Sequence, residues 1–275
     1  MTTATLPPDV VSDAPPGGRL HWAIADAVTV TWRNLISYTR IPDAIFFSSV
    51  QPIMFVLLFR YVFGGAISVP GVPYVDYLMA GIFVQTVMFG AVSTSVGLSE
   101  DLQKGLIERF RALPMARSAV LAGRTTADVV RNVGVVIIIT IVGYAVGFRI
   151  LTNVFEFIAA LLLILFFAYA LSWGFAIIGL TASNSETAQL MAFPILFPLT
   201  FASSAFVPVT TMPGWLQAFA KNQPVSQVID ASRQLMLGGK SPLLSTSNIY
   251  WALAWTVGLL VVLAPLAVRK YRRTG

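Results

Sequence analysis

Long apolar runs, separated by short polar segments, are the dominant pattern of this chain. Six runs reach the ~20 residues that a helix needs to cross a bilayer. We place them at residues 44–63, 76–98, 127–148, 155–182, 187–208 and 249–268. The pattern predicts an all-α, polytopic membrane protein with six transmembrane helices. An even number of crossings leaves both ends of the chain on one side of the membrane.

Two different segments precede the first apolar run. Residues 1–18 are rich in proline, threonine, alanine and glycine and lack the basic start and apolar centre of a signal peptide, so we expect a disordered tail. In residues 19–40, apolar residues recur at helical spacing opposite Asp26, Arg33 and Arg40. This favours an amphipathic helix in the membrane interface, and a solvated linker helix is the alternative. Residues 41–275 then form the six-span domain.

Composition and charge agree with a membrane protein. The chain is 56% hydrophobic and 11% charged, against about 25% charged in soluble domains. The absence of cysteine excludes disulfides and thiolate metal sites. With one histidine, His21, a His-rich metal cluster is also excluded.

The basic residues decide the predicted orientation. The net charge of +6 invites a nucleic-acid partner, but the Lys and Arg residues flank the apolar runs. Of these 18 residues, thirteen fall on the side of the termini and five on the other. The side with more Lys and Arg is normally cytoplasmic. We therefore expect cytoplasmic termini, contact with membrane lipid and no nucleic-acid partner.

A charged island, residues 100–114, separates the second and third apolar runs. Its periodicity predicts one helix with an apolar and a charged face, ended by Pro114. Such a helix suits docking of a soluble partner, through either face. The candidate contact residues are Asp101, Leu102, Lys104, Leu106, Glu108, Arg109, Phe110 and Arg111.

Residues 209–247 are too apolar for a plain loop. Two short helical patterns, each too short to span, are separated by Asn222-Gln223-Pro224. They predict either a pair of re-entrant helices at about 212–238 or a folded cap resting on the bundle. The residues of interest there are Trp215, Phe219, Pro224 and Arg233.

Prolines interrupt two of the apolar runs. Gln51-Pro52 lies in the first run, and Pro194 and Pro198 lie in the fifth. Proline frees a backbone carbonyl and bends a helix. These four residues are candidates for a hinge or for the lining of a route. A static kink, or a hydrogen bond that holds the bundle, is the alternative.

The sequence shows no internal source of energy for transport. The ionisable residues of the apolar runs, among them Asp128 and Arg131, sit near predicted span ends. We therefore expect none near a span centre, where a charge costs at least ~2.5–3.5 kcal/mol. The phosphate-binding pattern Gly-x-x-x-x-Gly-Lys-Ser/Thr is also absent from the sequence. If this chain transports a substrate, another polypeptide must supply the energy.

Three groups of residues, in order along the chain, carry a resemblance to a known family. They are Gln51-Pro52; Glu108-Arg-Phe-Arg-Ala-Leu-Pro114 with Arg117 and Gly123-Arg124; and Met212-Pro-Gly-Trp-Leu216 through Asn222-Gln-Pro224 to Asp230, Arg233 and Gly238. From about residue 20 onward, the chain resembles the permease subunit of a type-2 ABC exporter of the daunorubicin-resistance kind. It departs at Gln223-Pro224, where family members commonly have Asn-Pro.

The resemblance implies a function and its partners. It implies two permeases, identical or paralogous, and two ATPase subunits that bind ATP and magnesium, so this chain binds no cofactor and is not by itself an enzyme. It implies that the 100–114 helix couples to the ATPase in a bacterial plasma membrane. The expected cargo is a hydrophobic or amphipathic drug or lipid. The alternatives are a polysaccharide or teichoic-acid exporter, disfavoured because the sequence gives little sign of a polar stripe, and a non-transporting scaffold.

Overall fold

The computed structural model describes residues 19–39, 42–106, 117–238 and 247–273, and these ranges are helical without strands. The helices are α1 Arg19–Thr39, α2 Pro42–Leu57, α3 Tyr74–Gln103, α4 Arg117–Ala145, α5 Val154–Gly179, α6 Ser185–Phe201, α7 Gly214–Asn222, α8 Pro224–Leu237 and α9 Ser247–Arg273. A π-helical segment, Leu58–Phe63, extends α2, and a 3-10 turn, Val209–Thr211, precedes α7. The all-helical prediction is confirmed for the described residues.

Local chemistry sets several of the helix ends. Asn153 caps α5 by accepting a hydrogen bond from the Glu156 amide at 2.8 Å, and Asn184 caps α6 through the Thr187 amide at 2.7 Å. Pro224 occupies the first turn of α8, where no amide hydrogen is needed. Gly238 ends α8 with a φ of 62°, a conformation that glycine adopts without strain.

Four of the described helices are long and apolar enough to cross a membrane. They are α3, α5, α9 and the 118–145 part of α4. The first predicted span folds as α2 with its π-helical extension, and the fifth as the 17-residue α6. Pro52, Pro194 and Pro198 lie inside these two helices without ending them.

Helix α3 is the centre of the bundle. Its most apolar stretch is 89% buried, compared with 17% for α9. It contacts α2, α4, α5, α6 and α8. Close approach depends on glycine: a side chain at Gly81 would collide with the Ala205 carbonyl, and one at Gly179 with the Ser95 carbonyl. Helix α9 packs on the outside, against α5 and α8, and α1 packs against α4.

The predicted helix over residues 100–114 is wrong at its start. Residues 100–103 are the last turn of α3, which extends beyond the predicted span end at residue 98. Lys104 and Gly105 form a turn, with a φ of 64° at Gly105. Glycine at this position lets the chain leave the helix axis without strain. Glu108, Arg109, Phe110 and Arg111 lie outside the described residues.

The position of α4 corrects a second prediction. The helix begins at Arg117, ten residues before the predicted span start at residue 127. Arg131 is therefore at the midpoint of α4, and Asp128 lies one turn before it. The helix has 29 residues, more than the ~20 that cross a bilayer, and its polar first third, which the sequence analysis assigned to a loop, precedes Asp128. The expectation that Asp128 and Arg131 sit near a span end therefore stays a prediction.

Candidate functional site

A cavity of about 730 Å³ opens between α2, α3, α4 and α6. Two of its walls are stripes of residues at helical spacing of four. Gln85, Phe89 and Ser93 line it from α3. From α6 the stripe continues as Gln189, Phe193 and Phe197. Residues four apart share one helix face, so each stripe presents an amide followed by a phenylalanine ring to the same space, and α6 adds a second ring.

The other two walls come from α2 and α4. Gln51, Pro52 and Phe55 line the cavity from α2, and Arg131 and Asn132 from α4. The predicted route residues Gln51 and Pro52 thus lie at a cavity. Pro194 and Pro198 do not line it, although each directly follows a lining phenylalanine.

Phenylalanine rings form a continuous track along one side of this cavity. Phe89 lies 5.9 Å from Phe197 in an edge-to-face arrangement. The Phe197 ring stacks on Phe201 at 5.6 Å, and Phe201 stacks on Phe206 at 5.4 Å. Phe206 in turn stacks on Phe59 at 4.4 Å. Such pairs hold ring orientations, so the track is a fixed aromatic wall that continues beyond the cavity.

A ladder of polar contacts joins α3 and α4 beside the cavity. Thr94 donates to Asp128 at 2.5 Å, and Arg131 donates to the Gly90 carbonyl at 2.8 Å. Nearer the end of α3, Arg124 pairs with Asp101 at 3.1 Å. These contacts offset much of the cost of placing charges inside the bundle.

Two amides beside this ladder carry atoms that lack a hydrogen-bond partner in the described part of the chain. Gln85 is 3% exposed and Asn132 is 1% exposed. Both amide atoms of Gln85, and the amide nitrogen of Asn132, have no hydrogen-bond partner among the described residues. Because both residues line the cavity, these groups are available to a molecule inside it.

The end of the bundle that carries α7 and α8 holds a contrasting polar group, the Arg233 cluster of Tyr77, Ser204, Asp230 and Arg233. Arg233 is 1% exposed and donates to Asp230 at 2.6 Å, to the Ser204 carbonyl at 2.9 Å and to the Tyr77 carbonyl at 3.0 Å. Its guanidinium also lies 3.5 Å from the Tyr77 ring centroid. The cluster joins α3, the chain after α6, and α8.

Opposing effects act on the carboxyl group of this cluster. Burial raises the pKa of the Asp230 carboxyl, and the Arg233 guanidinium and the Ser204 hydroxyl act in the opposite direction. Ser204 donates to Asp230 at 2.8 Å. The carboxylate is thus held by two donors, as a half-buried charge requires.

The other predicted site residues are divided between exposed and packed positions. Asp101 is paired with Arg124 and half-buried, so it does not belong to a freely solvated face. Lys104 is exposed and pairs with Glu100 at 3.1 Å. Leu102 packs against a small hydrophobic cluster near the end of α3. Their predicted contact with an ATPase stays a prediction.

The two predicted short helices between residues 212 and 238 are present as α7 and α8. Trp215 and Phe219 are exposed on α7, whereas α8 packs against α3, α5 and α9. Pro224 starts α8, and Arg233 lies at its buried face. The depth of the pair relative to a membrane stays a prediction.

The sequence analysis missed Gln85, Asn132 and Gln189. It searched the predicted spans for ionisable groups and considered one amide, Gln51. A neutral amide in an apolar run also requires a partner in hydrocarbon, so the same search extended to Gln and Asn would have found all three. The sequence analysis also found little sign of a polar stripe, because it did not count Gln and Asn. In the structure these three amides line one cavity.

Comparisons with known proteins identify the family. The model of the ABC-2 type transporter family matches residues 26–237. A daunorubicin resistance ABC transporter permease protein of Streptomyces coeruleorubidus is 34% identical, covering 99% of this chain and 98% of the relative. A probable doxorubicin resistance ABC transporter permease protein of Mycobacterium tuberculosis is 27% identical, covering 92% and 90% respectively. The resemblance drawn from the sequence is thereby confirmed, and this multi-pass membrane protein belongs to the ABC-2 type transporter family.

Proposed function

We propose that this chain is the membrane-spanning permease subunit of an ATP-driven exporter for amphipathic, drug-sized compounds. The observation that carries the proposal is the cavity between α2, α3, α4 and α6, with aromatic and polar walls. Its volume of about 730 Å³ falls within the ~300–1,000 Å³ typical of small-molecule sites. The drug-resistance names of the two relatives support the same class of cargo.

The proposal includes six crossings with both termini in the cytoplasm. The four long apolar helices are completed by α2 with its π-helical extension and by α6. A helix of 17 residues is about 26 Å long, close to the ~30 Å hydrocarbon core. This orientation places α7 and α8 on the outer side. It also places α1 at the cytoplasmic interface, where its exposed Ile24, Val28 and Trp32 would contact lipid.

Topology can be tested directly because the natural chain has no cysteine. Ser118 and Lys221 are exposed near opposite ends of the bundle. In intact cells, Lys221→Cys should react with a membrane-impermeant maleimide, and Ser118→Cys should react only after permeabilisation. The reverse labelling pattern would contradict the orientation.

Energy is proposed to enter from a separate ATPase subunit that binds ATP and magnesium. The turn at Lys104-Gly105 directs the chain away from α3, and the segment that follows, residues 106–114, is the proposed ATPase contact. A single exposed ion pair contributes only ~0–1 kcal/mol, so several contacts must act together.

The double variant Glu108→Arg with Phe110→Ala tests this contact. It should insert into the membrane normally, yet it should lose recruitment of the ATPase or the coupling of ATP hydrolysis to export.

The function itself is tested in vesicles that contain this chain and its co-expressed ATPase. Daunorubicin should stimulate ATP hydrolysis and accumulate in inverted vesicles in an ATP-dependent manner. Matched vesicles with a hydrolysis-deficient ATPase should accumulate none. A chain that recruits no ATPase would instead support the scaffold alternative.

Export of a polysaccharide or teichoic-acid chain is a second candidate. The alternation of amides with phenylalanines in the cavity favours it, because sugars use both kinds of contact. The size of the cavity argues against it, since a polymer requires a longer route than this cavity of about 730 Å³ provides. Inhibition of daunorubicin transport by glycolipid precursors, in the same vesicles, would favour this candidate.

A further inference from the structure

The cavity borders two buried amides with atoms that lack a hydrogen-bond partner among the described residues, namely both amide atoms of Gln85 and the amide nitrogen of Asn132. Gln85 is 3% exposed and Asn132 is 1% exposed, and both line the cavity. Buried polar groups in native proteins are nearly always hydrogen-bonded. Unpaired amide atoms that border one space therefore require an explanation.

Another buried glutamine of the same chain is bonded through its amide nitrogen, while its amide oxygen has no partner among the described residues. Gln223 is 5% exposed, and its amide nitrogen donates to the Leu199 carbonyl at 3.0 Å and to the Ala202 carbonyl at 2.7 Å. It ties the start of α8 to the end of α6. Gln85 has no such bond among the described residues, so a structural role of this kind does not account for it.

The surroundings of the two amides indicate what they would bind. Gln85 is one helical turn from Phe89 on the cavity face of α3. Phe89 lies 6.4 Å from Phe193, and both rings line the cavity. A carboxamide both donates and accepts hydrogen bonds and carries no charge. The combination suits an aromatic ring system whose edge bears uncharged carbonyl or hydroxyl groups.

We propose that Gln85 and Asn132 form a neutral hydrogen-bonding subsite that recognises the polar edge of a flat, amphipathic cargo, while Phe89 and Phe193 contact its ring. This inference rests on the proposed export function and names the recognition element within it. The subsite selects cargo by uncharged polar groups. Replacing either amide by an apolar residue weakens cargo binding without weakening the fold.

The test measures binding and stability on the same protein. Full-length chain in lipid nanodiscs is titrated with daunorubicin, whose rings carry carbonyl and hydroxyl groups, and its fluorescence reports affinity. Gln85→Met keeps the side-chain length and removes the amide. One lost hydrogen bond should weaken binding about tenfold. The unfolding temperature should stay constant or rise, because no bond within the protein is lost.

Two further variants guard against a folding artefact. Asn132→Ala should weaken binding in the same direction. Gln223→Met is the matched control, because the same exchange breaks two observed bonds. It should lower the unfolding temperature by about 2–4 °C for each bond lost.

Three outcomes would overturn the inference. Unchanged affinity in Gln85→Met would exclude the subsite while leaving the export function intact. A fall in unfolding temperature equal to that of Gln223→Met would assign Gln85 a structural role. A wild-type chain that binds no daunorubicin would contradict the proposed drug-export function, and the inference with it.

Discussion

The Arg233 guanidinium reaches three hydrogen-bond acceptors and an aromatic ring, whereas both amide atoms of Gln85 reach no acceptor or donor in the described chain. Both side chains are almost fully buried. The first belongs to a polar group that is satisfied within the fold and joins three parts of the chain. The second borders an open cavity. Burial alone therefore does not distinguish these two side chains, but their hydrogen bonds together with their position at the cavity do.

The same contrast applies to motion. A guanidinium bonded to carbonyls on α3 and on the chain after α6 fixes the α7–α8 end of the bundle. At the cavity, polar contacts join α3 to α4, whereas the phenylalanine track joins α2 and its extension to α6 and the chain after it through ring contacts. Ring contacts are less directional than charge-assisted hydrogen bonds. We expect rearrangement of the bundle to occur on the cavity side.

The largest effect should come from removing the charge at the centre of the satisfied cluster. Arg233→Met would remove the guanidinium from Asp230 and from two carbonyls, and it would leave the Ser204 hydroxyl as the donor that still contacts that carboxylate. Breaking a buried ion pair costs about 3–5 kcal/mol, so we expect low membrane abundance and a much lower free energy of unfolding. Denaturant unfolding in detergent measures this effect.

Arg272→Met is the control for Arg233→Met, since Arg272 is exposed at the end of α9. It should unfold like the wild type. If the two variants were equally stable, Arg233 would stabilise the fold no more than an exposed arginine does. The contrast between the Arg233 cluster and Gln85 would then be contradicted.

A second prediction concerns backbone contact near the same cluster. A side chain at Gly81 would meet the Ala205 carbonyl, which follows Ser204 directly. Because backbone cannot easily move aside, Gly81→Ala should destabilise the fold by about 1–3 kcal/mol. Gly258 in α9 has open space around it, so Gly258→Ala should be neutral or stabilise by up to ~1 kcal/mol. Thermal unfolding of the pair measures the difference, and equal shifts would contradict the close packing.

The helices and the contacts between them differ in how far the sequence could predict them. Apolar runs and short helical patterns predicted the helices between residues 42 and 237, because each depends on local periodicity. The contact between Arg233 and Tyr77 joins residues 156 positions apart, and no local pattern encodes it. The cavity depends in the same way on how α6 packs against α3. Two helix boundaries were predicted wrongly. Helix α3 continues to Gln103 and α4 begins at Arg117, because in both places polar helical turns extend an apolar helix.

The third prediction moves to the cavity wall. Phe89→Ala removes one ring from the aromatic track, where it contacts Phe193 and Phe197. Aromatic pairs contribute about 0.5–1.5 kcal/mol beyond buried area, so daunorubicin affinity should fall roughly tenfold. Fluorescence titration in nanodiscs measures the change. Phe155→Ala, at an exposed residue of α5, should bind like the wild type, and a loss of affinity there equal to that of Phe89→Ala would argue against a specific cavity site.

The smallest effect on stability should come from Trp215, at the α7–α8 end but outside the Arg233 cluster. Its side chain is 77% exposed, so Trp215→Ala should change the free energy of unfolding by no more than ~0.5 kcal/mol. If the indole anchors α7 at the outer interface, where tryptophan is favoured, export should still decrease while ATPase recruitment is retained. Transport in vesicles at equal abundance measures this. A variant that loses stability would place Trp215 with Arg233 as a structural residue, and one that transports normally would exclude both anchoring and gating.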